Sequence, residues 1–198
     1  MLGLSDWSWL PGVLSAGVTA ALASAGVQAW RDRGKGRSSA AYLALRIAIA
    51  LEAFAHDCSE LIAENVLLKD IGGAAERPRY RTRLPPIAGF PDDGEGWRAL
   101  NLHLAAECLG IRNAVSVTQS SIRWAVEYDG DIEDRVADAA IEHGLAAWAT
   151  AGRLRAVYKL PPASYGLESV RHLQEEQKRR AEEVERRTAR RAERETAR

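Results

Sequence analysis

The sequence predicts an all-α protein with one N-terminal transmembrane helix, an antiparallel bundle of about four helices and a charged C-terminal helix. Three observations carry this prediction: an uncharged apolar run near the start, apolar faces with helical spacing through the middle, and a final segment that is almost wholly charged. We divide the chain into an anchor with a basic flank (1–37), a helical body (38–166) with an irregular loop (72–96), and a tail (167–198).

The N-terminal segment is long enough to cross a bilayer. No ionisable side chain occurs between Asp6 and Arg31. Residues 7–30 would form a helix about 36 Å long, and a hydrocarbon core is about 30 Å thick. Tryptophans bracket the run, as is typical of membrane interfaces: Trp7, Trp9 and Trp30.

The charges beside this segment predict its orientation. Four basic residues follow it within a short stretch: Arg31, Arg33, Lys35 and Arg37. The positive-inside rule therefore places the N-terminus outside and the body in the cytoplasm, as a single-pass protein. Arginine-rich, alanine-rich composition is typical of GC-rich bacteria, which makes the membrane the bacterial inner membrane.

Small residues form a stripe along the predicted span: Gly12, Ser15, Thr19, Ala23 and Gly26. Their spacing of three and four residues places them on one helix face, where they permit close helix–helix approach in lipid. The segment is only modestly apolar, so packing against another helix would help it insert. We therefore treat the stripe as a candidate surface for homo-oligomer formation.

Two other interpretations of the segment stay open. A cleaved leader fits the small triplet at residues 23–25, although residues 1–8 contain no Lys or Arg. A buried helix of a soluble bundle would also be apolar. A helix lying flat on the membrane would need a basic face, which this segment lacks.

Four helices are predicted in the body. The first has a long apolar face, although Arg46, Glu52 and further acids argue against a second span. It comprises Leu43, Ile47, Leu51, Phe54, Cys58, Leu61, Asn65 and Leu68. The second helix is predicted to end at Gly110, and Asn113 to cap the third. The fourth runs from Asp131 towards Pro161, with Gly144 allowing a neighbouring helix to come close.

The loop at 72–96 carries a basic cluster: Arg77, Arg79, Tyr80, Arg81 and Arg83. Such a cluster can contact anionic lipid headgroups or an acidic partner. Alternatively it pairs with the acidic body of the same chain.

The tail alternates acidic and basic blocks, with acids four residues before bases, which supports a solvated helix. It has too few apolar positions for a stable coiled coil over its full length. We interpret it as a candidate arm for contacting a protein partner or RNA. No segment is basic enough to make nucleic acid the leading partner.

Candidate catalytic groups are few. The weak metal-binding candidates are His56, His103, Glu107 and His143, but Glu52–His56 and His103–Glu107 are one residue too far apart for the Glu-x-x-His spacing of helical di-metal sites. Cys58 and Cys108 lie on predicted core faces, where a thiol is inert. We predict no catalytic residue, no metal and no cofactor.

The sequence thus favours a membrane-anchored, non-enzymatic interaction or scaffold protein. The partners we expect are membrane lipid, a further copy of the same chain and another protein. The alternatives are a small helical-bundle enzyme or metal-binding protein that uses His and carboxylate groups, and an exported helical protein with a cleaved leader.

Overall fold

A computed structural model describes the backbone of residues 10–71, 81–128 and 132–196. Within these ranges it describes the side chains of residues 38–69, 81–126 and 132–195. The described chain forms five helices and no strand, which confirms the predicted all-α fold. They are α1 (Leu10–Ile71), α2 (Gly94–Ala99), α3 (Leu102–Tyr128), α4 (Ile132–Tyr158) and α5 (Leu167–Thr196).

The second half of α1 is the central helix of the bundle. Seven of the eight residues of its predicted apolar face are buried, and Leu68 is half-buried. The stretch Ser38–Lys69 is long and apolar enough to cross a membrane by length and composition. Half of its apolar window is nevertheless buried inside the structure. This stretch therefore serves as the core helix around which α2, α4 and α5 pack.

Helix directions follow from the residues that meet. Glu52 and Lys69 of α1 contact Arg155 and Glu133 of α4, so these helices are antiparallel. On α5, Ser169 and His172 form hydrogen bonds with residues 113 positions earlier on α1. α5 therefore runs parallel to α1 in a constant register, and α4 lies antiparallel to both.

The described part of the predicted loop is irregular from Arg81 to Asp93 and packs along the body. Asn65 exchanges two hydrogen bonds with the backbone of Arg81, at 2.9 and 3.1 Å. Leu84 is buried, and Ile87 and Phe90 pack against the core. Asp93 then caps α2, since its side chain accepts a hydrogen bond from the Gly96 amide.

The predicted helix end at Gly110 is wrong, because α3 continues through Gly110 and Asn113. Gly110 is exposed, and no atom lies within 4 Å of the position that a Cβ atom would occupy there. Its only cost is the low helix propensity of glycine, which destabilises a helix by about 1 kcal/mol relative to alanine. The actual break lies at Leu100, whose backbone is extended. Asn101 then caps α3 by accepting from the amides of His103 and Leu104. Apolar residues keep a helical spacing on both sides of this break, so the spacing does not reveal it.

Gly144 of α4 is the point of closest helix approach. A methyl group there would lie 2.9 Å from Leu173 of α5 and 3.1 Å from Cβ of Cys58 on α1. The predicted role of Gly144 in close packing is confirmed.

We predict that Gly144→Ala destabilises the protein by about 1–3 kcal/mol, because a core with no room must shift to accept a methyl group. Gly152→Ala is the matched control on the same helix, since nothing lies within 4 Å of its missing side chain. The control should be neutral or stabilising by up to about 1 kcal/mol. Thermal unfolding of the full chain in mild detergent, followed by circular dichroism, measures both. Equal midpoints for the two variants would show that α1, α4 and α5 do not meet at Gly144.

Candidate functional site

A buried ion pair joins α1, α4 and the segment before α5. Glu52 is 1% exposed. Arg155 donates two parallel hydrogen bonds to the Glu52 carboxylate, from Nε to Oε1 at 2.5 Å and from Nη2 to Oε2 at 2.8 Å. Arg155 also donates to the carbonyl of Pro161. The hydrogen bond to Glu52 raises the pKa of Arg155. Burial, followed by the charge of Glu52, raises the pKa of nearby Tyr165.

Histidine–hydroxyl hydrogen bonds connect further pairs of helices. His56 of α1 bonds to Ser169 of α5 at 2.8 Å, and Ser59 of α1 bonds to His172 of α5 at 2.9 Å. The two bonds form reciprocal rungs three residues apart on both helices. In each rung a serine hydroxyl, a possible nucleophile, lies beside an imidazole, a possible base. Neither rung lies among the lining residues of the two clefts described below. We therefore interpret the rungs as structural contacts that fix the register of α5 relative to α1.

His143 of α4 makes the third such contact. Its Nε2 lies 2.9 Å from the hydroxyl of Thr118 on α3. Burial lowers the pKa of His143, and the charge of Glu142 opposes this only partly. Burial at this position therefore disfavours the protonated imidazolium.

The weak metal candidates are dispersed by the fold. His56 and His143 each bond to a hydroxyl group, on α5 and α3 respectively. Glu107 pairs with Arg153 at 2.8 Å, and His103 is exposed near the start of α3. Within the described side chains, no three His, Cys, Asp or Glu residues gather as metal ligands.

Both cysteines are buried, as their place on the core faces predicts. Burial raises the pKa of Cys108 to about 11 and raises that of Cys58 further. Adjacent acids, Glu107 and Asp57, add to the effect. Both thiols therefore stay protonated near neutral pH, where a thiol is a poor nucleophile and a poor metal ligand.

Two surface clefts lie towards the end of the bundle where α1 ends. One of about 390 Å³ lies between α1, α4 and α5 and is lined by Lys69, Glu133 and Arg180 among others. One of about 550 Å³ lies between α1 and the loop, where Arg81 pairs with Glu64 at 3.0 Å. Neither is lined by His, Cys or Ser, so neither contains a Ser–His or Cys–His pair.

Most of the predicted membrane and partner residues lie outside the description. Trp7 and Trp9 and the loop residues Arg77, Arg79 and Tyr80 lie outside the described residues. For the rest of the anchor, the backbone lies in α1 and the side chains are not described: Gly12, Ser15, Thr19, Ala23, Gly26, Trp30, Arg31, Arg33, Lys35 and Arg37. Of the loop cluster, Arg81 and Arg83 line the larger cleft, and Arg81 is tied to Glu64 and Asn65.

No family model, no curated protein and no solved structure matches this chain. The candidate function must therefore come from the geometry and charge of its own residues.

We predict that Glu52→Gln lowers the free energy of unfolding by about 3 kcal/mol, at the low end for a buried ion pair, because it leaves the partly buried guanidinium of Arg155 without its counter-ion. Replacing both partners, by Glu52→Leu with Arg155→Met, should recover most of the loss. Glu107→Gln is the control, since its pair with Arg153 is exposed and should contribute less than about 1 kcal/mol. Chemical denaturation of the full chain in detergent measures all three. If Glu52→Gln behaved like Glu107→Gln, the buried pair would have no structural importance.

The lowered pKa of His143 predicts that acid destabilises the fold. Below the ordinary histidine pKa of about 6.5, the unfolded chain takes up a proton that folded His143 resists, so stability falls as the pH falls through this window. His143→Gln should flatten the dependence of the unfolding midpoint on pH between about pH 7 and pH 5. His103→Gln, at an exposed position, is the control, and its unfolding midpoint should depend on pH as that of the wild-type protein does. An unchanged slope in His143→Gln would exclude this residue as the acid-sensitive group.

Proposed function

We propose that the protein is a non-enzymatic scaffold, anchored in the bacterial inner membrane by the N-terminal part of α1, that presents its helical body and charged tail in the cytoplasm. The span corresponds to residues 7–30, and the arginines that follow hold the C-terminal side inside the cell.

The continuity of α1 is the observation that carries the proposal. The helix runs from Leu10 to Ile71 and is central to the body in its second half. A helix that crosses the membrane would therefore continue directly into the core of the body without a linker. Residues 37 to 71 extend about 51 Å at 1.5 Å per residue, so the far end of the bundle would stand that distance from the basic flank.

The parallel register of α5 then places the tail at the far end. His172 lies beside Ser59, and the tail continues in the same direction as α1. In this arrangement the charged tail points away from the inner leaflet. Arg81 lies beside Asn65, also far from the flank. We therefore favour a protein partner over lipid headgroups for both the tail and the loop.

The chemistry of the surface supports an interaction role over catalysis. Both described thiols are buried, the histidine–hydroxyl pairs tie helices together, and the two clefts are lined by paired charges. The small-residue stripe from Gly12 to Gly26 would add self-association within the membrane.

Alkaline carbonate extraction of membranes tests the anchor. We expect the wild-type chain to stay in the pellet, and Leu14→Arg with Val18→Arg to move into the supernatant. Each arginine costs about 2.5–3.5 kcal/mol near the centre of a span, which together exceeds the modest favourable insertion free energy of the segment.

Leu14→Ile with Val18→Leu is the matched control and should stay in the pellet. Circular dichroism confirms that the bundle survives in each variant. Release of the wild-type chain by carbonate, or retention of the double-arginine variant, would contradict the proposal. An intact mass that lacks residues 1–25 would instead support the cleaved-leader alternative.

A further inference from the structure

The last part of α5 projects as an exposed helix. Arg180 pairs with Asp134 and Asp138 of α4, at 3.3 and 2.9 Å. Every described side chain from Ala181 to Glu195 is exposed, yet the helix continues to Thr196. The parallel offset of 113 residues from α1 brings residue 184 level with the end of α1 at Ile71.

A stripe of small and apolar residues follows this exposed helix. It continues the line of Val170 and Leu173, which are buried against the body. We call it the tail seam: Ala181, Val184, Thr188 and Ala192. Its spacing of three, four and four residues is one period of an eleven-residue pattern, which keeps a stripe on one face of an almost straight helix. The next position in this spacing is the charged Glu195, so the tail seam ends at Ala192.

The charges beside the tail seam are sorted by sign. At 100° per residue, one flank carries only acids among its charged residues from 182 onward, and we call it the acidic edge: Glu182, Glu185 and Glu193. The opposite flank is the basic edge: Arg187, Arg191 and Arg194. This sorting lies in the part of α5 where every described side chain is exposed.

We propose that the tail seam docks on the same seam of a second copy of this chain, with the two helices parallel and in register. When two identical helices pack in parallel, the left flank of one faces the right flank of the other. The acidic edge of each copy then meets the basic edge of its partner, on both sides of the seam. An antiparallel pair would instead bring acid against acid and base against base.

The seam is small, so this pairing depends on local concentration. Val184 is its only large apolar side chain, and the guanidiniums of Arg187 and Arg191 already reach Glu183 and Glu195 within their own helix, at 2.6 and 3.1 Å. Pairing exchanges these contacts for contacts between copies. Two chains anchored in one membrane would hold their tails parallel at a high effective concentration. To that extent the inference rests on the proposed function.

Cysteine cross-linking in membranes that contain the full chain tests the orientation. Val184→Cys and Ala192→Cys lie on the seam, and Arg190→Cys lies on the opposite face as the matched control. The native thiols, Cys58 and Cys108, are buried and contribute little background. We expect mild oxidation to yield disulfide dimers at both seam positions, at least about 5-fold above the control. An antiparallel pair would cross-link at no more than one of the two, and a random encounter would give equal yields at all three.

Charge exchange on the Val184→Cys background tests the edges. Arg187→Glu with Arg191→Glu leaves Arg194 as the only base on the basic edge, and Glu182→Arg with Glu185→Arg leaves Glu193 as the only acid on the acidic edge. Each variant alone should lose most of its cross-linking, and a co-expressed mixture should recover it as a heterodimer. Full cross-linking of either variant alone, or no recovery in the mixture, would overturn the inference.

Two readouts separate this inference from the anchor. Carbonate extraction reports whether each variant is still held in the membrane, and circular dichroism reports whether its helix is intact. Chains that stay in the pellet but fail to cross-link at the seam would reject the pairing and leave the anchor standing. Chains released by carbonate would reject the anchor, and the seam-to-control ratio of the same chains at high protein concentration in solution would report on the pairing.

Discussion

Burial of the second half of α1 is the constraint on which the rest of the structure depends. This helix supplies Leu43, Ile47, Leu51, Phe54 and Cys58 to the centre of the core, all essentially without exposed surface. α4 covers it most extensively, and α2 and α5 cover the remaining faces. Because each of these elements packs on α1, its direction sets the direction of the whole body. Whatever holds the N-terminal part of α1 therefore also orients the body and the tail.

Polar groups in and beside this apolar interface select one arrangement of the helices. A purely apolar face tolerates sliding, whereas a buried carboxylate must meet its guanidinium. Glu52 with Arg155 fixes α4 against α1, and the His56–Ser169 and Ser59–His172 rungs fix α5 against α1. These residues carry the chemistry that in another setting suggests catalysis or metal binding. Here that chemistry sets the register of the helices, and with it the end of the bundle at which the tail emerges.

The periodicity of the sequence was sufficient for the fold class and for the faces of α1 and α4, because a buried helix face leaves a direct spacing signal. It failed at the start of α3, where apolar spacing continued across the break and the Asn101 cap passed unnoticed. The periodicity does not predict which polar side chains contact each other between helices. Sequence spacing can pair Glu52 with His56, one turn away, but it cannot indicate that its partner is Arg155, a hundred residues later. The charged edges of the tail, by contrast, follow from the sequence once the structure shows which part of α5 is exposed.

A distance between α1 and the tail tests the central claim most directly. Spin labels at Tyr42→Cys and Val184→Cys would occupy two exposed positions in the full chain, diluted with unlabelled protein to exclude distances between copies. With α5 parallel to α1 and offset by 113 residues, residue 184 lies level with residue 71. The two labels should then be about 45 Å apart, at 1.5 Å per residue. A dominant distance below about 30 Å would mean that the tail folds back towards the start of the body, which would contradict the account.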